Sequence, residues 1–125
     1  MELSLVNWPA VVVGTIAAFA LGMLWFSPKM FADSWATGSH DIKPPASPPV
    51  LAMVVQFAGT FCLALVVGLT ETSGALLTAF FAILAAALMV AGMDLFSQKS
   101  HKATLIDAGY IIVAGAVMIL AQGLL

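Results

Sequence analysis

Asp94 and Asp107 lie on either side of the polar stretch "SQKSHKA", each a few residues inside a long apolar run. An ionisable side chain within lipid is costly, and by default it marks a proton, ion or substrate path. Gln56 and Tyr110 are the other polar residues placed well inside such runs, and both types commonly hydrogen-bond between membrane helices. The two acids sit at nearly equal distance from the middle of their loop. Both therefore fall about one helical turn inside the same boundary. Whether they face one another depends on helix rotation, which the sequence leaves open.

Their own helices account for them unequally. Thr104-Leu105-Ile106-Asp107 matches the capping box [ST]-x-x-[DE], so a helix is expected to start at Thr104 with Asp107 in its positively polarised first turn. Asp94 falls near a helix C-terminus, where the dipole disfavours an anion. It needs an offset from Lys99, Lys102, His101, water or a bound proton. Asp94 is thus the harder acid to read as scaffold. Nothing else in the chain names a reaction. His40 and His101 are single loop histidines without a second ligand at metal spacing, and Cys62 lies in an apolar run with no group to stabilise a thiolate. No catalytic residue, cofactor site or metal site is expected.

The elements that must position these residues follow from composition. The 125 residues are 62% hydrophobic and 8% charged, where a soluble domain of this size needs roughly a quarter charged. The chain therefore reads as an integral membrane protein. Its net charge of −2 and lack of Arg exclude a nucleic-acid partner, which requires a basic face. Four apolar runs each approach the ~20 residues that span a bilayer, at about residues 5–26, 50–69, 74–96 and 104–125. The fold class is all-α, a single domain of four transmembrane helices in a compact bundle. Asn7 is placed to cap the first helix and Pro9 fits its first turn, while Ser27-Pro28 ends it. The first run is not expected to be a cleaved signal, because Met1-Glu2-Leu3-Ser4 carries no basic residue.

One long connection, 28–49, separates the first two spans. Phe31 and Trp35 are four apart in "KMFADSWATG", the layout of a short segment lying in the interface with its rings at headgroup level. With Trp8 and Trp25 they make four interfacial anchors. "KPPASPP" follows as a stiff spacer. All four Lys fall in the first and third loops, so the positive-inside rule places those loops in the cytoplasm and both termini outside, in a bacterial inner membrane.

Small residues decide how such helices pack. Ala10, Gly14, Ala18 and Gly22 form a stripe along the first helix, Thr60, Ala64 and Gly68 along the second, and Thr78, Ala82 and Ala86 along the third. Close backbone approach along these stripes gains van der Waals contact in lipid.

Asn7-Trp8, "ALGMLWFSP", Phe31, Trp35 and "LIDAGY" together resemble a bacterial family of small four-span membrane proteins known as domain of unknown function 1761. The resemblance covers nearly the whole chain and implies the four-span topology, but no activity. Family members usually carry Asn where this chain has Asp107, and their third loop reads Phe-Glu-Gly-Arg where this one reads Phe96-Ser97-Gln98-Lys99. The leading functional expectation is a non-enzymatic protein that acts by assembly, as a homo-oligomer or as an accessory subunit among other membrane proteins. The alternative is a small oligomeric transporter or channel, and a membrane-embedded enzyme comes third. Assembly calls for a small-residue stripe free for a subunit contact. Transport calls for a polar cavity reached by Asp94, Asp107, Gln56 or Tyr110.

Overall fold

The computed structural model describes residues 3–125, which form five α-helices after a short 3-10 turn at Leu3–Leu5, and no strand. Helix α1 spans Trp8–Trp25, α2 Ala32–Gly38, α3 Val50–Thr72, α4 Leu76–Phe96 and α5 His101–Leu124. All but α2 are long and apolar enough to cross a membrane. The chain is a multi-pass helical membrane protein, as its apolar runs predict.

Local signals set the helix ends. The Asn7 side chain accepts from the Ala10 N–H at 3.2 Å, and Pro9 lies in the first turn of α1. Helix α3 runs on to Thr72 rather than Leu69 before Gly74, at φ +62°, reverses the chain. There the Ala75 N–H donates to the Thr70 carbonyl at 2.8 Å and the Gly74 N–H to that of Glu71 at 3.1 Å, closing the carbonyls that a helix end leaves open. The same pair of bonds ends α4, with Gln98 in the left-handed position at φ 63° and the Lys99 N–H on the Asp94 carbonyl at 3.0 Å. This turn folds Lys99 back towards the end of α4.

The start of α5 corrects the expected capping box. Ser100, not Thr104, is the N-cap, and its Oγ accepts from the Ala103 N–H at 3.0 Å. Thr104 instead donates its hydroxyl to the Ser100 carbonyl at 3.0 Å. Asp107 therefore lies beyond the first turn of α5 and caps nothing.

Helix α5 is the centre of the bundle, packed chiefly against α1 and α4 and also touching α2 and α3. Its buried face carries Ala103, Ile106, Tyr110, Ala114 and Met118. The α1 stripe meets it: a Cβ added at Gly14 would lie 3.5 Å from the Met118 Cα. Thr60, Ala64 and Gly68 of α3 are buried, and α3 leans mainly on α1. In α4 the buried apolar residues are Ala79, Ile83 and Ala87, one position on from the expected stripe, because Gly115 of α5 admits the larger Ile83. Thr78 is exposed and Ala82 and Ala86 are only half-buried. Inside the bundle, Thr15 and Thr70 return their hydroxyls to their own helix, on the Val11 and Val67 carbonyls at 2.7 and 2.8 Å, and so add no unpaired donor.

Contact along α3 is one-sided. Every residue from Val50 to Gly59 is exposed, whereas burial begins at Thr60. The first half of α3 thus leans away from the bundle at the end that carries the first and third loops.

Gly14→Leu should force α1 and α5 apart and cost about 1–3 kcal/mol, as overpacking does. Gly59→Leu, where an added Cβ meets nothing within 4 Å, should leave stability unchanged. Thermal unfolding of both variants in one detergent checks the contrast.

Candidate functional site

Lys99 is the hinge of the site. Its Nζ lies 3.1 Å from Asp107 Oδ2 and 3.7 Å from Asp94 Oδ1, so one ammonium serves both carboxylates. The α4–α5 turn brings it there, and the same turn sets Asp94 and Asp107 on facing helices. Lys99 supplies the offset that an anion near the C-terminus of α4 requires. Lys102 and His101 are exposed, and neither makes an ion pair with Asp94. Asp94 is buried, and its Oδ2 has no hydrogen-bond partner.

Asp107 has a second partner. Trp35 of α2 donates its ring N–H to Asp107 Oδ1 at 2.8 Å, and Lys99 Nζ stands 5.1 Å from the centre of the Trp35 ring. Helix α2 is held in place for this contact. The Ser100 N–H donates to the Gly38 carbonyl at 2.9 Å, and a Cβ on Gly38 would come within 2.7 Å of the Ala103 Cβ, so only glycine lets the two helices meet so closely. His40 Nε2 lies 2.7 Å from the Ser97 carbonyl and ties the following loop to the same turn.

The aromatic residues at the exit of α1 turn inward. Trp25 donates its ring N–H to the Ile106 carbonyl at 2.9 Å, and its ring packs on Phe31 at 4.9 Å between centroids. Phe26 packs edge-on against both Trp35 and Tyr110, each at 5.7 Å. Tyr110 donates to the Ala18 carbonyl at 2.7 Å, and its ring occupies the space that Gly22 leaves. The four-residue spacing of Phe31 and Trp35 therefore builds a cluster of rings across α1, α2 and α5. Trp8, by contrast, is exposed at the other end of α1, with its N–H on the Leu3 carbonyl at 3.2 Å.

These groups border a cleft of about 530 Å³ beneath the splayed start of α3. Phe19, Met23, Phe26, Ala52, Met53 and Val90 make its walls, and Trp35, Gln56, Asp107 and Tyr110 supply its polar atoms. A recess of about 180 Å³ continues inward past Gln56 and Tyr110 to Ala114 and Met118. Beyond it lies the packed core, with Val11, Val67, Ile83 and Met118. The cleft lies in the half of the bundle nearer the lysine-bearing loops, and the packed core fills the other half.

Of the four polar residues singled out in the sequence, Asp107, Gln56 and Tyr110 share this cleft. Asp94 stands behind it, joined to Asp107 through Lys99. Gln56 is exposed at the cleft rim, and its side chain meets the Tyr110 hydroxyl between α3 and α5, as expected of a polar residue between membrane helices. Sequence reading named Lys99 among the possible offsets for Asp94 but missed that it also serves Asp107, and it missed Trp35 as a hydrogen-bond donor and the buried Gln122 on α5. The available signal for Lys99 was its place after a left-handed helix cap, which a glutamine does not announce. No group of three or more His, Cys, Asp or Glu side chains suited to a metal occurs among the described residues.

Asp107→Leu removes both contacts and should cost about 2 kcal/mol, in the range for hydrogen bonds to charged groups. Asp107→Asn keeps an acceptor for Trp35 and should cost less than half as much. Equilibrium unfolding followed by tryptophan emission would distinguish the two. Equal effects would show that Trp35 does not depend on this acceptor.

No curated protein and no solved structure matches the chain. A family model described as a protein of unknown function, DUF1761, matches residues 9–123. That match covers all four spans, the ring cluster and both acids, and the chain belongs to the DUF1761 family.

Proposed function

We propose that this protein takes a small amphipathic solute into the cleft beneath α3, as a binding protein or transporter of the membrane and without catalysing a reaction. The carrying observation is the cleft itself, apolar along its walls and polar where Gln56, Asp107 and Tyr110 converge. Its volume falls within the range of small-molecule sites, and such sites combine apolar walls with a few placed polar groups. The small-residue stripes of α1 and α3 are spent inside the monomer, on α5 and on each other, which weighs against them as subunit contacts.

The Lys distribution supports a bacterial inner membrane with both termini outside. In that orientation the cleft lies in the cytoplasmic half of the membrane and the packed core in the outer half.

Assembly is the second reading, carried by α4. Exposed Thr78, half-buried Ala82 and Gly92, which has open space at its Cβ, lie away from the buried face of that helix. A homo-oligomer or a complex with another membrane subunit would use that surface.

Protein extracted directly into polymer-bounded lipid discs should carry a small molecule at one per chain in native mass spectrometry. Ala52→Trp, which fills the cleft from its exposed wall, should abolish that adduct without lowering the melting temperature. A bare chain in both samples would contradict the cleft reading, and a dimer or hetero-complex mass would favour assembly.

A further inference from the structure

The geometry points to a lipophilic cation as the occupant of this cleft, with Asp107 as its counter-ion; this inference rests on the cleft being a ligand site. Among the lining residues there is one carboxylate and no Lys, Arg or His. The cluster behind it does not cancel the charge, because Asp94 and Asp107 share the single ammonium of Lys99. Asp94 Oδ2 is buried without a hydrogen-bond donor, so acceptors exceed donors on this side of the cleft. A phosphate or carboxylate head would meet that excess as repulsion.

The walls fit the same class. Phe19, Phe26, Trp35 and Tyr110 present aromatic rings, whose faces attract cations most strongly away from water. Lys99 supplies a precedent within the fold. Its ammonium rests on Asp107 and over the Trp35 ring at once, the pairing of carboxylate and ring that an organic ammonium or phosphonium would use from the other side. Both Asp107 oxygens already accept one bond each, and a carboxylate retains lone pairs for a further donor or cation. The remaining lining is apolar and suits a hydrocarbon or aryl body.

Tetraphenylphosphonium and tetraphenylborate have nearly the same shape and opposite charge, and they separate this inference from the cleft reading. Binding of each to the full chain in nanodiscs is read from quenching of tryptophan emission, against empty discs of the same lipid. Tetraphenylphosphonium should bind saturably and at least tenfold more tightly than tetraphenylborate. Asp107→Asn should weaken it at least tenfold. If both probes bind equally and Ala52→Trp removes both, the cleft stands and the cation inference falls. A preference for tetraphenylborate overturns it too, as does a co-purifying phospholipid that neither probe displaces. If neither probe binds and the cleft carries no lipid, the cleft reading fails with it.

Discussion

A polar group inside a bilayer must find its partner within the protein, since lipid tails offer none. At the lysine-bearing end of this bundle that constraint falls on one side chain. Lys99 must satisfy two carboxylates from two helices, and Asp107 must in turn accept from Lys99 and Trp35. The α4–α5 turn, the docking of α2 and the rotation of α5 are all tied to this arrangement. Removing one partner of a buried ion pair leaves an uncompensated charge, which costs more than the intact pair contributes. The cluster therefore fixes geometry more than it adds stability.

Helix α5 carries that geometry into the membrane. Its Tyr110 reaches the Ala18 carbonyl because Gly22 leaves room for the ring, and its Met118 packs where Gly14 lets α1 approach. The same close packing draws α1 and α5 together and leaves α3 buried only from Thr60 onward, its first half touching the bundle through Phe57 on Phe19. The cleft is the consequence: two helices held tightly by small residues, a third held along half its length, and a carboxylate between them. The rings of Phe26 and Trp35 line the loop end of the cleft without filling it.

Much of this was legible in the sequence. Apolar run length located four spans, and Asn7 with Pro9 and Ser27-Pro28 marked the ends of α1, which the structure places within a few residues. The α1 and α3 stripes lie on buried faces because spacing of four is a property of the helix itself. The α4 stripe was misplaced because Ala-rich helices offer several such stripes, and the choice among them depends on what Gly115 of the neighbouring helix accepts. The capping box at Thr104 was a real pattern overruled by Ser100, whose backbone N–H is engaged by Gly38. Pairing of Asp94 with Asp107 through Lys99 was beyond reach, since it depends on helix rotation and on a left-handed Gln98. The inward turn of Trp35 was hidden for the same reason: spacing placed it beside Phe31, and only the fold placed it beside Asp107.

The central claim is that the first half of α3 overhangs a water-accessible cleft that ends on Asp107. Single cysteines along α3, in a Cys62→Ala background, test it most directly, because a thiol must be hydrated to react with a charged maleimide. The account predicts fast labelling at positions 52 and 56, which line the cleft, and silence at 54 and 58, which lie outside it along a separate apolar groove of α3. Uniform labelling or uniform silence across the four positions would contradict it.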